Sequence, residues 1–383
     1  MIPNSGWEYA NPVRIVFGTG RLGELPELVE GRALVVTSPG ATGRGLTGRI
    51  VRMLDRPLVH DKVSPNPTLA SVTGAIGEWR AAPVNAIVAV GGGSAIDVGK
   101  VLSLALAVPD VTLDGLLEAD HPWKANEPLP MVAIPTTAGT GSEVTPFATL
   151  WDNRKHRKLS VTTPKLHPAV ALIDPGLAVS LPWVVTLGTG LDAYSQCFEA
   201  ICNRNAMPVT TAFAERGLEL VPNALRVLRE DPSSSDARSD MAAAALFSGL
   251  AISHTRTGLA HSISYPITAH LGLSHGLACA LALPGVLAFN AETDDGRLAK
   301  VAAQIGLRSP TDLARWLLEL YGEFEVADVI REHVPDVDVL RSLASEMLTP
   351  GRADNNIRPA DEHAVMAILA STERWLSAEP TAP

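Results

Sequence analysis

Apolar residues in the first half of the chain come in short unbroken runs, each stopped by turn-forming residues. Arg32–Thr37 reads RALVVT and stops at Ser38-Pro39-Gly40; Asn85–Val90 reads NAIVAV and stops at three glycines. Pro130–Ile134 reads PMVAI and stops at Pro135-Thr136-Thr137; Val170–Ile173 reads VALI and stops at Asp174-Pro175. Such runs, rich in aliphatic and β-branched residues, predict strands buried on both faces of a parallel sheet. Helical stretches are predicted between them, at Leu46–Leu54 and from Ala95 to about Ala107. Strands alternating with helices predict an α/β domain. Phe147 to Val161, with the polar tip Asp152-Asn153-Arg154, predicts a hairpin. After Pro182 the period changes, and long helical patterns such as AERGLELVPNALRVLRE and SDMAAAALFSGLAIS dominate. The predicted boundary lies near residue 180, dividing an α/β domain (1–180) from an all-α domain (181–383). Pro222, Pro232, Pro266 and Pro284 are expected to punctuate the helices, and the last residues, AEPTAP, to fray.

Composition narrows the class. Of 383 residues, 46% are hydrophobic and 19% charged, enough apolar material for two cores and too much for a disordered chain. The net charge of −10 argues against a nucleic-acid partner, which calls for a basic surface. Cys197, Cys202 and Cys279 show no CxxC spacing and leave one unpaired, which fits a reducing cytoplasm. Neither a signal peptide nor an apolar stretch long enough for a membrane span is visible.

Three constellations could carry chemistry. The first is Gly91-Gly92-Gly93-Ser94 with Asp97 and Lys100 behind it, between a strand and a helix. Glycines there let backbone approach a phosphate, and the helix N-terminus offers free N–H groups. The spacing is neither GxGxxG nor a P-loop. The second is the hydroxyl-rich loop with Thr136, Thr137, Thr140 and Thr145, placed where open α/β sheets bind ligands. The third is Asp192 with Gln196 four residues on, together with His254, His261, His270 and His275. A carboxylate with imidazoles is a plausible divalent-metal site.

Taken in order, GGGSAIDVGK, IPTTAGTGSEVT, GLDA, LAHSISYP and SHGLACALALP resemble the iron-containing (group III) alcohol dehydrogenases, from about residue 10 to about residue 370. The resemblance implies an α/β nucleotide-binding domain followed by a helical domain, the dehydroquinate synthase-like fold. It implies NAD(P)-dependent interconversion of alcohols and carbonyls on Fe²⁺, sometimes Zn²⁺. It assigns Gly91, Gly92, Gly93 and Ser94 to the pyrophosphate turn, with Asp97 in the same signature. Thr136, Thr137, Thr140 and Thr145 are placed around the cofactor, and Asp192, His261 and His275 are made metal ligands. The family's fourth ligand, a His, is Gln196 here, a neutral and weaker donor. Tyr265 stands where many members carry a proton-relaying His, so the relay is expected through Tyr265, His270 or water.

Ser38 follows the strand LVVT where NAD-preferring members often have Asp, and Arg44 is nearby, which favours NADPH over NADH. Further strings, among them WEY with NPV, FEA with CNRNA, and SISYP, resemble the branch that reduces phosphonoacetaldehyde to 2-hydroxyethylphosphonate. A phosphonate needs cationic or amide donors; Lys158, Asn203 and Arg204 are the candidates, Lys158 beginning a return strand beside the basic tip Arg154–Arg157. The expected partners are a small anionic aldehyde and a second copy of the chain as a homodimer, in the cytoplasm. Two other readings share the fold: a metal-independent reductase of the maleylacetate type, and a dehydroquinate synthase-like lyase.

Overall fold

The computed structural model describes residues 6–108, 111–117, 126–155, 157–334 and 336–377. The strands are β1 (Arg14–Phe17), β2 (Ala33–Val36), β3 (Leu58–His60), β4 (Ala86–Gly91), β5 (Met131–Pro135), β6 (Phe147–Asp152), β7 (Arg157–Thr162) and β8 (Val170–Ile173). Six of them form one sheet in the order β1-β8-β5-β4-β2-β3, every neighbouring pair parallel. β6 and β7 form an antiparallel hairpin. The chain moves outward from β2 to β3 on one side, and from β4 through β5 to β8 on the other. The order therefore reverses between β2 and β4, and an open α/β sheet leaves its ligand crevice at the carboxyl ends of such a pair.

Both faces of the sheet are covered, which explains the unbroken apolar runs. Leu34, Val36, Ile87, Ala89, Met131 and Ala133 pack on one side with Val98, Val101 and Leu102 of the helix Gly93–Ala107. Val35, Val88, Val90, Val132 and Ile134 alternate with them and pack on the other side with Leu22, Leu25 and Ile50. Each of the valines, leucines, isoleucines and methionine among them contributes roughly 1.5–3 kcal/mol when fully buried. β1 and β3 escape the apolar pattern because each is only partly buried.

The chain separates into two compact units. One comprises Ala10–Leu181 and Ser233–Ala242; the other comprises the segment before Ala10, Pro182–Pro232 and the chain from Ala243. The second unit is helical, with Trp183–Ile201, Pro208–Glu230, Leu259–Leu271, His275–Ala291 and Glu362–Leu376 as main elements and most of Ser235–Thr255 besides. The helix His275–Ala291 is buried along almost its whole length and packs against Trp183–Ile201, Leu259–Leu271 and Glu362–Leu376.

The expected punctuation is corrected at three prolines. Pro232 does follow a helix end, but Pro222, Pro266 and Pro284 lie inside helices. An interior proline removes one backbone donor and leaves the carbonyl four residues earlier unpaired. At Pro284 that carbonyl belongs to Ala280, and the Tyr321 hydroxyl donates to it at 3.1 Å. The AEPTAP tail lies outside the described residues. Among those described, no helix is long and apolar enough to cross a membrane.

Candidate active site

β4 ends on Gly91, whose φ of +152° suits glycine and few other residues. The Gly91 carbonyl accepts the Thr136 N–H at 2.9 Å, so the turn after β4 and the loop after β5 start side by side. A Cβ on Gly92 would lie 3.2 Å from Thr137 Oγ1, and one on Gly93 2.7 Å from Thr140 Cγ2. Glycines let the threonine loop lie on the turn. The helix Gly93–Ala107 begins with no side chain capping it, and a first turn with unspent N–H groups suits an anionic group. Gly91, Gly92, Gly93, Ser94, Thr136, Thr137 and Thr140 thus gather at the carboxyl ends of β4 and β5. Ser38, at the end of β2, caps the short helix Pro39–Gly43 by accepting the Ala41 N–H at 3.3 Å.

Asp97 and Thr145 also hold the local structure together. Asp97 Oδ1 accepts the Ser142 hydroxyl at 2.6 Å, and Oδ2 accepts the Thr149 N–H at 2.8 Å. The fully buried Lys100 donates to Ser142 Oγ (2.9 Å), Thr145 Oγ1 (3.2 Å) and the Phe147 carbonyl (2.8 Å). Both carboxylate oxygens and the buried Thr145 hydroxyl are engaged in tying the threonine loop and β6 to the helix. Burial, opposed by Asp97 and Glu143, lowers the Lys100 pKa to about 8. Burial raises those of Asp97 and Glu143.

In the helical unit, three helices bring Asp192, His261 and His275 together. His261 Nε2 lies 3.4 Å from Asp192 Oδ1, and His275 Nε2 lies 4.0 Å from the same oxygen. The two imidazoles meet edge to face at 5.2 Å. The approach depends on Gly276, where a Cβ would fall 1.9 Å from the Gly188 carbonyl oxygen and 2.9 Å from Asp192 Cβ. The Asp192 and His261 side chains are 4% and 2% exposed and that of His275 23%, so the group opens to solvent on the His275 side. His261 Nε2 is a buried nitrogen that makes no hydrogen bond, although burying such an atom unpaired is costly. A carboxylate and two imidazoles that close together fit a divalent metal, and Fe²⁺ or Zn²⁺ suits those donors.

Two neighbours were not singled out from sequence. Glu199 Oε1 accepts the His261 backbone N–H at 2.9 Å, and Oε2 faces His261 Nδ1 at 2.5 Å. Asp192, Gln196 and Glu199 are spaced i, i+4, i+7 and share one helix face. Cys279 lies one turn beyond His275, and its Sγ joins the donor atoms of Asp192, His261 and His275, all within 4.8 Å of one another. Burial disfavours a charged His261, but Cys279, Glu199 and Asp192 outweigh it and hold the ring well above its ordinary pKa. Burial would raise Glu199, but His261 keeps it below the usual carboxylate range.

The other predicted residues separate. Gln196 is buried, and its Oε1 accepts the Ser248 hydroxyl at 2.9 Å. Tyr265 stacks on His275 with ring centres 6.0 Å apart. His270, expected as a relay, is nine residues from His261 and projects from the opposite face of the helix. There it pairs with Glu346 at 3.0 Å. Asn203, expected as a substrate contact, is fully buried. It donates to the Arg256 carbonyl (3.4 Å) and accepts the Asn205 N–H (2.9 Å). Arg204 is exposed. Lys158, half-buried on β7 in the other unit, lies near enough to Asp97 to favour its carboxylate. Arg154, Lys155 and Arg157 are exposed, and His156 lies outside the described residues.

Residues 12–175 match the family of iron-containing alcohol dehydrogenases, and residues 186–372 match the C-terminal region of the same family. A phosphonoacetaldehyde reductase from Streptomyces viridochromogenes is 34% identical, over 88% of this chain and 89% of its own. Alcohol dehydrogenase 4 of Saccharomyces cerevisiae is 32% identical over 85% and 91%. The crystal structure of a sulfoacetaldehyde reductase from Bifidobacterium kashiwanohense, in complex with NAD⁺, superimposes with a TM-score of 0.85 at 26% identity, covering 98% of this chain and 100% of that one.

Proposed function

The chain belongs to the iron-containing alcohol dehydrogenase family and is an oxidoreductase of alcohols and aldehydes; within that activity we propose NAD(P)H-dependent reduction of a small anionic aldehyde, phosphonoacetaldehyde to 2-hydroxyethylphosphonate before others. The observation that carries the reading is the convergence of Asp192, His261 and His275, the first two buried and the third open to solvent. These residues would hold Fe²⁺ or Zn²⁺, with Gln196 as a weaker neighbour. Bound metal supplies a Lewis acid for the carbonyl oxygen, and bound NAD(P)H supplies the hydride. The balance is aldehyde, NAD(P)H and one proton giving alcohol and NAD(P)⁺. Glu199 fixes the His261 ring by its Nδ1 edge, and Tyr265, stacked on His275, passes the proton from its hydroxyl to the product oxygen.

The cofactor reading rests on the turn Gly91–Ser94 with Thr136, Thr137 and Thr140. NADPH is proposed over NADH because Ser38 puts no carboxylate at the end of β2 to repel a 2′-phosphate, and Arg44 ends the helix that Ser38 caps. The substrate reading is supported by likeness to two enzymes named for aldehydes that carry an anionic group one carbon from the carbonyl. Arg204, exposed in the same unit as the metal-type residues, is the proposed cation for that anion.

The test is NAD(P)H oxidation against phosphonoacetaldehyde, sulfoacetaldehyde, lactaldehyde and acetaldehyde, with added Fe²⁺ or Zn²⁺ and after strict chelation. Phosphonoacetaldehyde is expected to give the highest kcat/KM, with NADPH preferred and activity lost on chelation. A higher kcat/KM for acetaldehyde would refute the anionic substrate, and full activity after chelation would favour a maleylacetate-type reductase. Turnover without net change in NAD(P)H would mark a lyase.

A further inference from the structure

We propose that the Cys279 thiolate is a fourth protein ligand of the metal, in the place for which the sequence offers Gln196. The proposal rests on the metal reading above and names a donor outside the Asp-His-His set. Cys279 is fully buried, one helical turn after His275, with Sγ 3.9 Å from His275 Nδ1 and 4.0 Å from Nε2. Bonds of about 2.0–2.3 Å to a tetrahedral ion put neighbouring ligand atoms about 3.3–3.8 Å apart. The His261–Asp192 separation of 3.4 Å falls in that range, the separations of His275 Nε2 from Asp192 and from Cys279 Sγ are both 4.0 Å, and all four donor atoms lie within 4.8 Å of one another. Small rotations of the side chains close the set.

Gln196 is the poorer donor on two grounds. Its amide is neutral, and its Oε1 already accepts the Ser248 hydroxyl. A thiolate is charged and soft, and with Asp192 it balances a divalent ion, leaving a neutral centre. Gln196 in its place would leave one net positive charge. With four protein ligands held, the carbonyl oxygen of the substrate would enter as a fifth, a number that catalytic zinc sites sometimes reach. The softer set favours Zn²⁺ more than carboxylate and imidazole alone would.

Metal-free protein reloaded anaerobically with Co²⁺ reads the ligand directly, because thiolate coordination gives an intense near-ultraviolet charge-transfer band that nitrogen and oxygen donors lack. One Co²⁺ per chain with that band is expected. The band should persist in the double variant Cys197→Ser/Cys202→Ser, which leaves Cys279 as the one thiol. It should vanish in Cys279→Ser, with Co²⁺ held at least about tenfold more weakly. Co²⁺ bound by the wild type without the band would refute the thiolate and leave the metal reading standing. So would a band that survives Cys279→Ser or disappears from the double variant. Failure of the wild type to bind Co²⁺ would overturn both.

Discussion

Glu199 reaches His261 with both carboxylate oxygens, one at the backbone N–H and one at Nδ1. A ring held at Nδ1 has a single orientation and turns Nε2 toward Asp192. Outer partners of this kind typically govern metal affinity ten- to hundredfold. Glu199→Gln keeps the shape and removes the charge, so a metal titration should show a loss of that size while circular dichroism stays unchanged. Wild-type affinity in the variant would mean that packing alone orients His261. Lys100 is a second buried group with a measurable signature. Its folded pKa of about 8 lies below the unfolded value of 10.5. Between those values the unfolded chain binds the extra proton, so stability rises with pH across that window, by at most about 1.4 kcal/mol per unit. Below about pH 8 both states carry the proton and the dependence ends. Chemical denaturation of wild type and Lys100→Met from pH 7 to 10.5 should therefore show the wild type gaining relative to the variant only above about pH 8. A flat difference would mean that Lys100 keeps an ordinary pKa.

Helices show where spacing was informative and where it was not. The i, i+4, i+7 face of Asp192, Gln196 and Glu199, and the i+4 step from His275 to Cys279, are readable in the sequence. His270 shares the His261 helix, yet the spacing of nine residues puts it on the other side, where Glu346 pairs with it. Asn203 and Arg204 are adjacent in sequence, but the turn after the Asp192 helix buries one and exposes the other. The interior prolines were misread for a reason that is tertiary: the donor that replaces the missing N–H comes from elsewhere in the chain. Tyr321 lies 41 residues from Ala280, the residue whose carbonyl Pro284 leaves open. Removing that hydroxyl leaves the carbonyl buried and unsatisfied, which costs about 1–3 kcal/mol. Tyr321→Phe should lower the unfolding free energy by that amount in a denaturant titration. A loss below about 0.5 kcal/mol would show that the proline is accommodated some other way.

For the whole molecule, alternation of apolar runs and helical stretches was enough to read a parallel sheet followed by helices. The reversal of strand order between β2 and β4 was not readable, because side-chain pattern sets which faces are buried and leaves neighbour choice open. Nor could the sequence show that Asp97 and Thr145 face the Lys100 network while Thr137 and Thr140 lie against Gly92 and Gly93. The cofactor residues and the metal-type residues nevertheless fall in different units of the fold, so the two binding functions should be separable. In Gly93→Ala a Cβ would lie 2.7 Å from Thr140 Cγ2 and force the loop off the turn. NADPH binding followed by fluorescence should weaken at least about tenfold, or about 1.4 kcal/mol, with metal content unchanged. In Asp192→Ala the metal content should collapse and reductase activity with it, because two imidazoles and a thiol lose the carboxylate that meets them, while the NADPH dissociation constant stays within about twofold. Loss of both functions in either variant would show that the units do not bind independently. Unchanged NADPH affinity in Gly93→Ala would remove the Gly91–Ser94 turn from the cofactor site.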